Sequence, residues 1–479
     1  MNSQSKILFR QIGMKDLTKS NIFESLHAAT EARILTKSVP GPKSIVLLKK
    51  QQALESNNIS YPREIPIAFQ KGRGAIIEDA DGNQFIDFLT GCGVFNLGHN
   101  NSYILDVVKN GGDFLTQTVD FPTETKVAFM ERLNLALPET IRHKMKINFG
   151  GPTGSDAVEA AIKLARIVTS RHSIVAFQGG YHGMTMGALS VTSKLSHRKR
   201  TPPLIPGIHF MPFCNPYRCP LSSADRLCSG ECARYFQFCL ENPHSGIDKP
   251  AAIIIEPIQG EGGTYIPTRG WLEQITEIAR KNDILVIFDE VQTGFYRTGK
   301  MFAFEYTDAI PDIITMSKGI GGNGCPLSLI LHRKELDVWD PGTHIGTFRG
   351  NQIAMAAGLA ALEFIKKYDV PSHVTSLGQG MKQALEDIKE SSRYIGDVRG
   401  IGMMFGVEFV KNKNTKKPFP EAVQSVRKLC YEKGLIVEVG GYYNNVIRFL
   451  PPLILTKEIA ENGLRIFADA NREMEASIV

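Results

Sequence analysis

Short, continuous apolar runs recur through the middle of this chain, separated by stretches with helical spacing. Residues 173–177, 251–255, 284–288, 313–316 and 327–331 are such runs. Their length and their Ile, Val and Leu content predict strands buried on both faces. Between them, residues 157–169 carry apolar side chains at Val158, Ala161, Leu164, Ala165 and Val168, the spacing of one helix face. Residues 271–281 read the same way. The alternation spans about residues 105 to 345 and predicts an α/β unit, an open and mostly parallel sheet covered by helices on both sides.

The two ends have a different texture. Residues 1–40 are polar and read as a helical extension, broken by Ser38-Val39-Pro40-Gly41-Pro42. A helix is expected over 43–56. Tyr61-Pro62-Arg63 then opens a strand-rich segment, with Asp81-Gly82-Asn83 as a hairpin turn and 85–88 as the return strand. In the tail, residues 400–409 and 434–439 read as antiparallel strands flanked by helices over 423–432 and 457–473. The expected division is a 1–40 extension, a 41–104 N-terminal segment of a small domain, a 105–345 large domain, and a 346–479 C-terminal small α+β domain.

Composition narrows the partners. At 479 residues, 43% hydrophobic and 22% charged, the chain is long enough for two globular domains. The net charge of +6 is spread out. The basic clusters His197-Arg198-Lys199-Arg200 and Lys411-Asn412-Lys413 with Lys416-Lys417 have no interleaved aromatics. They read as solvated loops, not nucleic-acid contacts. No apolar run has the length of a membrane helix, and residues 1–19 lack the apolar stretch of a secretory signal. A cytoplasmic location is expected. Of eight cysteines, Cys214, Cys219, Cys228, Cys232 and Cys239 fall close together. No C-x-x-C pair occurs, so reduced thiols and no metal site are expected.

Candidate chemistry emerges where the strands end. In open α/β sheets, ligands sit at the carboxyl ends of the strands. The 313–316 run leads to Lys318, and the 284–288 run to Asp289, with Gln292 one turn on. The 251–255 run ends at Glu256, followed by Gly260-Glu261-Gly262-Gly263. The 173–177 run leads to Gly179-Gly180-Tyr181-His182-Gly183. A buried amine and a buried carboxylate at neighbouring strand ends suit a Schiff-base lysine and an acid that keeps a ring nitrogen protonated. Pyridoxal phosphate (PLP) requires that pair. Gly150-Gly151-Pro152-Thr153-Gly154-Ser155-Asp156 directly precedes a helix, whose free N–H groups and the Ser155 hydroxyl suit a phosphate. Gly319-Ile320-Gly321-Gly322-Asn323-Gly324 matches G-x-G-x-x-G, but a strand-like run follows it where a dinucleotide fingerprint needs a helix.

These motifs, in this order, resemble the class III (ω-amino acid) aminotransferases of PLP fold type I, from about Pro40 to Ala470. The motifs that carry the likeness are Gly154-Ser155-Asp156-Ala157, Tyr181-His182-Gly183, Glu256-Pro257-Ile258-Gln259-Gly260-Glu261-Gly262-Gly263 and Asp289-Glu290-Val291-Gln292-Thr293-Gly294. Ser317-Lys318-Gly319 and Ile447-Arg448-Phe449-Leu450-Pro451-Pro452 complete the set. The resemblance implies a large domain with a sheet of the seven-stranded type, and a smaller domain built from both chain ends. It implies that Lys318 forms the covalent link to PLP and shuttles a proton, that Asp289 pairs with the ring nitrogen, and that Tyr181 stacks on the ring. Gly154 and Ser155 would bind the phosphate, and Thr347 would reach it from a partner subunit in a homodimer with shared active sites. His182, Glu256 and Gln292 belong to the same cofactor-binding set. Arg448 would grip the substrate α-carboxylate, and a Glu261–Arg448 ion pair would open when 2-oxoglutarate or glutamate arrives.

Within the family, the segments around Gly179–Thr185 and Gly346–Gln352 look most like enzymes that move the terminal amine of 2,4-diaminobutyrate to 2-oxoglutarate by a ping-pong mechanism. Relatives acting on ornithine or 4-aminobutyrate usually carry arginine at the position of Met184. Its absence leaves the seat of the 2-oxoglutarate γ-carboxylate open, with Arg349 a candidate. Ornithine, lysine and diamines stay open as donors. So do epimerases and decarboxylating enzymes on the same fold.

Overall fold

A computed structural model describes residues 19–110, 115–221, 228 and 230–478. Residues 1–18 of the expected N-terminal extension lie outside the described residues. Three short strands come first, β1 (Phe69–Arg73), β2 (Ile76–Asp79) and β3 (Gln84–Asp87). The middle of the chain supplies β4 (Met145–Phe149), β5 (Ile174–Phe177), β6 (Ile208–Met211) and β7 (Ala252–Ile255). It continues with β8 (Leu285–Asp289), β9 (Ile313–Met316) and β10 (Leu329–Arg333). The tail adds β11 (Ile395–Ile401), β12 (Met404–Phe409), β13 (Leu435–Ile436), β14 (Glu438–Gly440) and β15 (Val446–Phe449).

Strands β4 to β10 form one seven-stranded sheet, ordered β4-β10-β9-β8-β7-β5-β6. β10 runs antiparallel to both its neighbours, and the remaining pairs are parallel. The sheet is thus the mostly parallel one that the apolar runs predict. Alternate residues of each strand feed separate cores. Ile174, Ala176, Ile254, Ile287 and Ile313 pack with Val158, Ala161, Leu164 and Ala165 of the Gly154–Thr169 helix. Val175, Phe177, Ile253, Ile255, Val286, Phe288 and Ile314 face the main core, with Trp271, Ile275 and Ala279 of the Trp271–Lys281 helix. Burial on both faces is why these runs are apolar at nearly every position, Thr315 being an exception used at the site.

Two smaller sheets flank the large one. One has the order β1-β2-β3-β13, the other β11-β12-β15-β14. The first joins the N-terminal segment to the tail, because Leu435 and Ile436 pair in parallel with Ile86 and Asp87. This corrects the antiparallel reading of 434–439. Leu435–Ile436 belongs to one sheet, and Glu438–Gly440 crosses to the other and runs antiparallel to β15. The segment is apolar because both sheets bury it. The 400–409 run is likewise the end of β11, a tight turn at Gly402 and β12. Gly402 has φ +59, and a Cβ there would sit 2.4 Å from the Thr298 carbonyl carbon.

At the N-terminal end, helix is confined to Lys19–Ser25 within the described part of the extension. Downstream, Arg33 and Gln84 exchange backbone hydrogen bonds of 2.9 and 2.8 Å, so that stretch is extended. Tyr61-Pro62 opens a short helix, Tyr61–Glu64, before β1, since proline is well placed in a first helical turn. No helix among the described residues is long and apolar enough to cross a membrane.

Candidate active site

The ends of β4, β5, β7, β8 and β9 share one edge of the sheet, and the predicted chemistry collects there. Asp289 is the last residue of β8 and is buried. Its Oδ2 lies 2.7 Å from His182 Nδ1. Its Oδ1 accepts from Thr315 Oγ1 at 2.9 Å and from the Val291 N–H at 3.1 Å. Thr315 can do this because the β8–β9 register sets it beside Asp289. His182 is buried as well, and among the described residues its Nε2 has no hydrogen-bond partner.

Lys318 lies two residues beyond β9 and adopts the left-handed backbone conformation, φ 51. Non-glycine residues rarely do so, and such positions concentrate at functional sites. Burial holds its amine pKa below the ordinary lysine value. Arg448 lowers it further, and Cys92, Asp289 and Glu256 oppose the shift. An amine so placed is more readily neutral and nucleophilic. Glu256 accepts from the Tyr181 N–H at 2.9 Å and the Gly260 N–H at 2.8 Å. Burial pushes its pKa up to about 7, with His182 opposing and Asp289 assisting.

The Gly154–Thr169 helix starts just after β4. Thr153 donates to Asp156 Oδ2 through its N–H and its hydroxyl, both at 2.8 Å, which closes the helix start. The first-turn N–H groups of Gly154 and Ser155 then face outward with the positive end of the helix dipole. Ser155 Oγ accepts from the Met184 N–H at 3.2 Å. This close approach needs glycine at 183, with φ +131, where a Cβ would fall 2.1 Å from Ser155 Oγ.

A second group faces Lys318 from the small sheet. Arg448 on β15 is almost fully buried, and its Nη1 lies 3.1 Å from Glu261 Oε2. Its Nη2 donates to Gln292 Oε1, and Gln292 Nε2 donates to the Cys92 carbonyl at 3.1 Å. Gln292, expected at the cofactor, thus spends both ends of its amide on this wall. Glu261 Oε1 lies 3.1 Å from Lys194 Nζ. Opposite Arg448 in the β14–β15 ladder stands Glu438, also buried. Its Oε2 accepts from the Tyr61 hydroxyl at 3.1 Å and the Cys92 thiol at 3.4 Å.

Sequence reasoning missed Tyr61, Cys92, Lys194, Thr315 and Glu438. Thr315 and Glu438 are recognisable only from strand register, beside Asp289 and Arg448 respectively. Thr347 is exposed on a short turn, Thr347–Gly350, and among the described residues no hydrogen bond joins it to the groups above. Tyr181 is partly buried, with its ring 6.1 Å from that of His197. Arg349 pairs with Asp120 at 3.5 Å and does not meet Arg448, and Met184 is half exposed. The cysteines are free thiols, with Cys214 and Cys228 sulfurs 3.8 Å apart. Among the described residues no group of three or more Cys, His, Asp or Glu is arranged to hold a metal ion.

Residues 60–470 match the family described as aminotransferase class-III. The chain belongs to the class III aminotransferases. A curated relative, the diaminobutyrate--2-oxoglutarate aminotransferase of Haemophilus influenzae, is 40% identical over 428 residues, covering 88% of this chain and 93% of that protein. A solved Bacillus anthracis aminotransferase superposes with TM-score 0.82 at 27% identity, covering 90% of this chain and 99% of that one. An amine transaminase from an uncultivated Pseudomonas species, solved in its PLP-bound form, gives TM-score 0.79 at 27% identity over 88% and 98% of the two chains.

This aminotransferase is a PLP enzyme, and its residues fit that cofactor. The buried His182 Nε2 (partnerless among the described residues), the carboxylate fixed by Thr315 and Val291, the open helix start and the buried amine form a donor set of the kind PLP demands. Lys318 and Asp289 would hold its reactive carbon and its ring nitrogen, and Gly154 and Ser155 its phosphate.

Proposed function

We propose that this aminotransferase moves the terminal amine of L-2,4-diaminobutyrate to 2-oxoglutarate, regenerating its starting state in a second half-reaction. The relatives named for that reaction support the donor and acceptor, and the Glu261–Arg448 ion pair carries the reading at the site. When bound, PLP supplies an electron sink that stabilises a carbanion next to the transferred nitrogen. The chain supplies the rest. Asp289, oriented by His182 and Thr315, would hold a proton on the ring nitrogen. Lys318 Nζ takes the proton from the substrate carbon that bears the amine and returns it on the product side. Tyr181 would lie against the ring face.

Glu261 and Arg448 give the site its two substrates. With the ion pair closed, no free guanidinium waits near the amine, and a donor presenting a terminal CH₂–NH₃⁺ meets a neutralised wall. With glutamate or 2-oxoglutarate, the α-carboxylate displaces Glu261 and takes both arms of Arg448. Glu261 then retains Lys194. We further propose a cytoplasmic homodimer whose partner chain brings its copy of Thr347 to the phosphate, consistent with the exposure of that residue, and a small domain made from 41–104 and 346–479 beside a 105–345 large domain.

Single-substrate absorbance changes of the holoenzyme test the donor. Mixed separately with 2,4-diaminobutyrate, ornithine, lysine and simple diamines, the bound cofactor should change spectrum fastest with 2,4-diaminobutyrate, and 2-oxoglutarate should reverse the change. A faster response to another amine would move the assignment to that donor. No response to any amine would overturn it.

A further inference from the structure

We propose that Glu438, with the Tyr61 hydroxyl beside it, seats the second, non-reacting ammonium group of a diamino donor. This deepens the diaminobutyrate reading and rests on it. Glu438 is 7% exposed, and each partner it has is neutral: the Tyr61 O–H, the Cys92 S–H and, at 3.0 Å on Oε1, the Val439 N–H. Arg448 faces it across the ladder and directs Nη1 to Glu261 and Nη2 to Gln292; burial raises the Glu438 pKa and the Arg448 charge only partly opposes this. Among the described residues no lysine, arginine or histidine nitrogen lies within ion-pair distance of Glu438. A buried carboxylate without a cation is costly, so a site that keeps one is matched to a cation that arrives with the ligand.

Its position suits the far end of a short substrate. The Cys92 thiol donates to Glu438, and the Cys92 carbonyl accepts from Gln292, which also holds Arg448. Glu438 therefore belongs to the same wall as the Arg448–Gln292–Glu261 group. In 2,4-diaminobutyrate three carbons separate the two nitrogens. With the terminal amine at Lys318, the α-ammonium can replace the hydroxyl and thiol protons on Glu438, since O–H and S–H groups rotate freely and an ammonium offers three donors. Tyr61 can then accept from it as well. With the Glu261–Arg448 pair closed, Glu438 is the carboxyl group on this wall with no cation hydrogen-bonded to it among the described residues. 4-Aminobutyrate has the same terminal amine but nothing to offer Glu438. Selection between these donors thus sits on β14, apart from the residues that carry the chemistry.

The test uses holoenzyme carrying Glu438→Gln and four single substrates. Two keep a second ammonium: 2,4-diaminobutyrate, and 1,3-diaminopropane, which lacks the carboxylate. Two lack it: 4-aminobutyrate, and glutamate reacting through its α-amine. The half-reaction rate is followed against concentration, separating the saturation constant from the limiting rate. The second-order rate constants for the first two should fall by about 30- to 100-fold, chiefly through the saturation constant, as expected for a lost charge-assisted contact. Those for the last two should change by less than about threefold, within the worth of one neutral hydrogen bond. Tyr61→Phe should give the same pattern, weaker. An equal loss across all four substrates in both variants, or no loss for the two diamines, overturns the proposal. If the wild type does not prefer 2,4-diaminobutyrate, the donor assignment fails by itself. An ammonium-specific effect of Glu438→Gln on another diamine would then still stand.

Discussion

The two walls of this site are held in different ways. The wall carrying Lys318 and Asp289 is built from the ends of adjacent strands, and its polar atoms are tied to neighbours in the same ladder: Thr315 across the register, Val291 two residues on, and His182 behind. Such a wall has one arrangement. The wall carrying Arg448 joins four distant segments through ion pairs, an amide hydrogen bond and strand pairing: Glu261 after β7, Lys194 before residues 195–198, Gln292 after β8 and Glu438 on β14. Glu261 has two cationic partners, so this wall has a second arrangement within reach. Chemistry common to both half-reactions needs fixed geometry, and the choice between two substrates needs contacts that can be exchanged.

If the comparison holds, damage to the fixed wall should be severe and independent of substrate. Lys318→Ala should cost at least about 10⁴-fold in turnover, because the nucleophile and the proton carrier are lost together. Both half-reactions should fall alike when measured in single turnovers. Asp289→Asn preserves shape and removes the charge, and should cost about 10³-fold, again equally for both substrates. A loss confined to one substrate would break the distinction between the walls.

The fixed wall should also leave a trace in stability. Glu256 is buried, with its pKa pushed up to about 7 from an ordinary 4.5. The folded chain therefore holds this proton more tightly than the unfolded chain. The resulting stabilisation is complete below pH 4.5 and is lost as pH rises through about 7. Denaturant unfolding of the apoprotein at pH 5 and pH 7.5 should show a drop of about 2 kcal/mol from this group. Glu256→Gln should flatten the slope over that interval. An unchanged slope would mean that Glu256 stays ionised in the folded chain.

Damage to the exchangeable wall should instead divide the substrates. Glu261→Ala leaves Arg448 uncovered. The terminal-amine half-reaction should slow by about 10- to 100-fold, since the donor then meets a buried, unpaired guanidinium. The glutamate half-reaction should keep its rate or gain slightly. Equal losses on the two sides would make Glu261 a structural residue.

The same contrast explains what was readable in the chain. Asp289 and Lys318 end apolar runs, and a parallel strand buried on both faces announces its end by its first charged residue. Five strands of the large sheet and the open helix start at Gly154 follow from equally local patterns, whereas β4 and β6 carry no such run and the seven-stranded type is implied by the family resemblance alone. The exchangeable wall depends on which distant segments pair. Glu438 lies in a run of apolar neighbours, Leu435-Ile436-Val437, that serves two sheets, with no turn residue to mark the crossing. Tyr61 and Cys92 meet Glu438 from 377 and 346 residues away. Neither periodicity nor a local motif encodes such a contact. The antiparallel reading of 434–439 failed for the same reason.

Lys194 gives the smallest and most discriminating effect. It is partly exposed, and exposed ion pairs contribute about 0 to 1 kcal/mol, so Lys194→Met should alter any constant by no more than about fivefold. The direction carries the information. If Lys194 is where Glu261 rests once displaced, its loss penalises the open arrangement alone. The saturation constant for 2-oxoglutarate and glutamate should then rise about two- to fivefold, because the incoming carboxylate must compete with a Glu261 that has nowhere else to go. The terminal-amine half-reaction, which uses the closed pair, should stay unchanged. If Lys194 only braces Glu261 against Arg448, the donor side should suffer instead, as a weaker form of Glu261→Ala. The two outcomes differ in sign between half-reactions, so even a twofold change separates them.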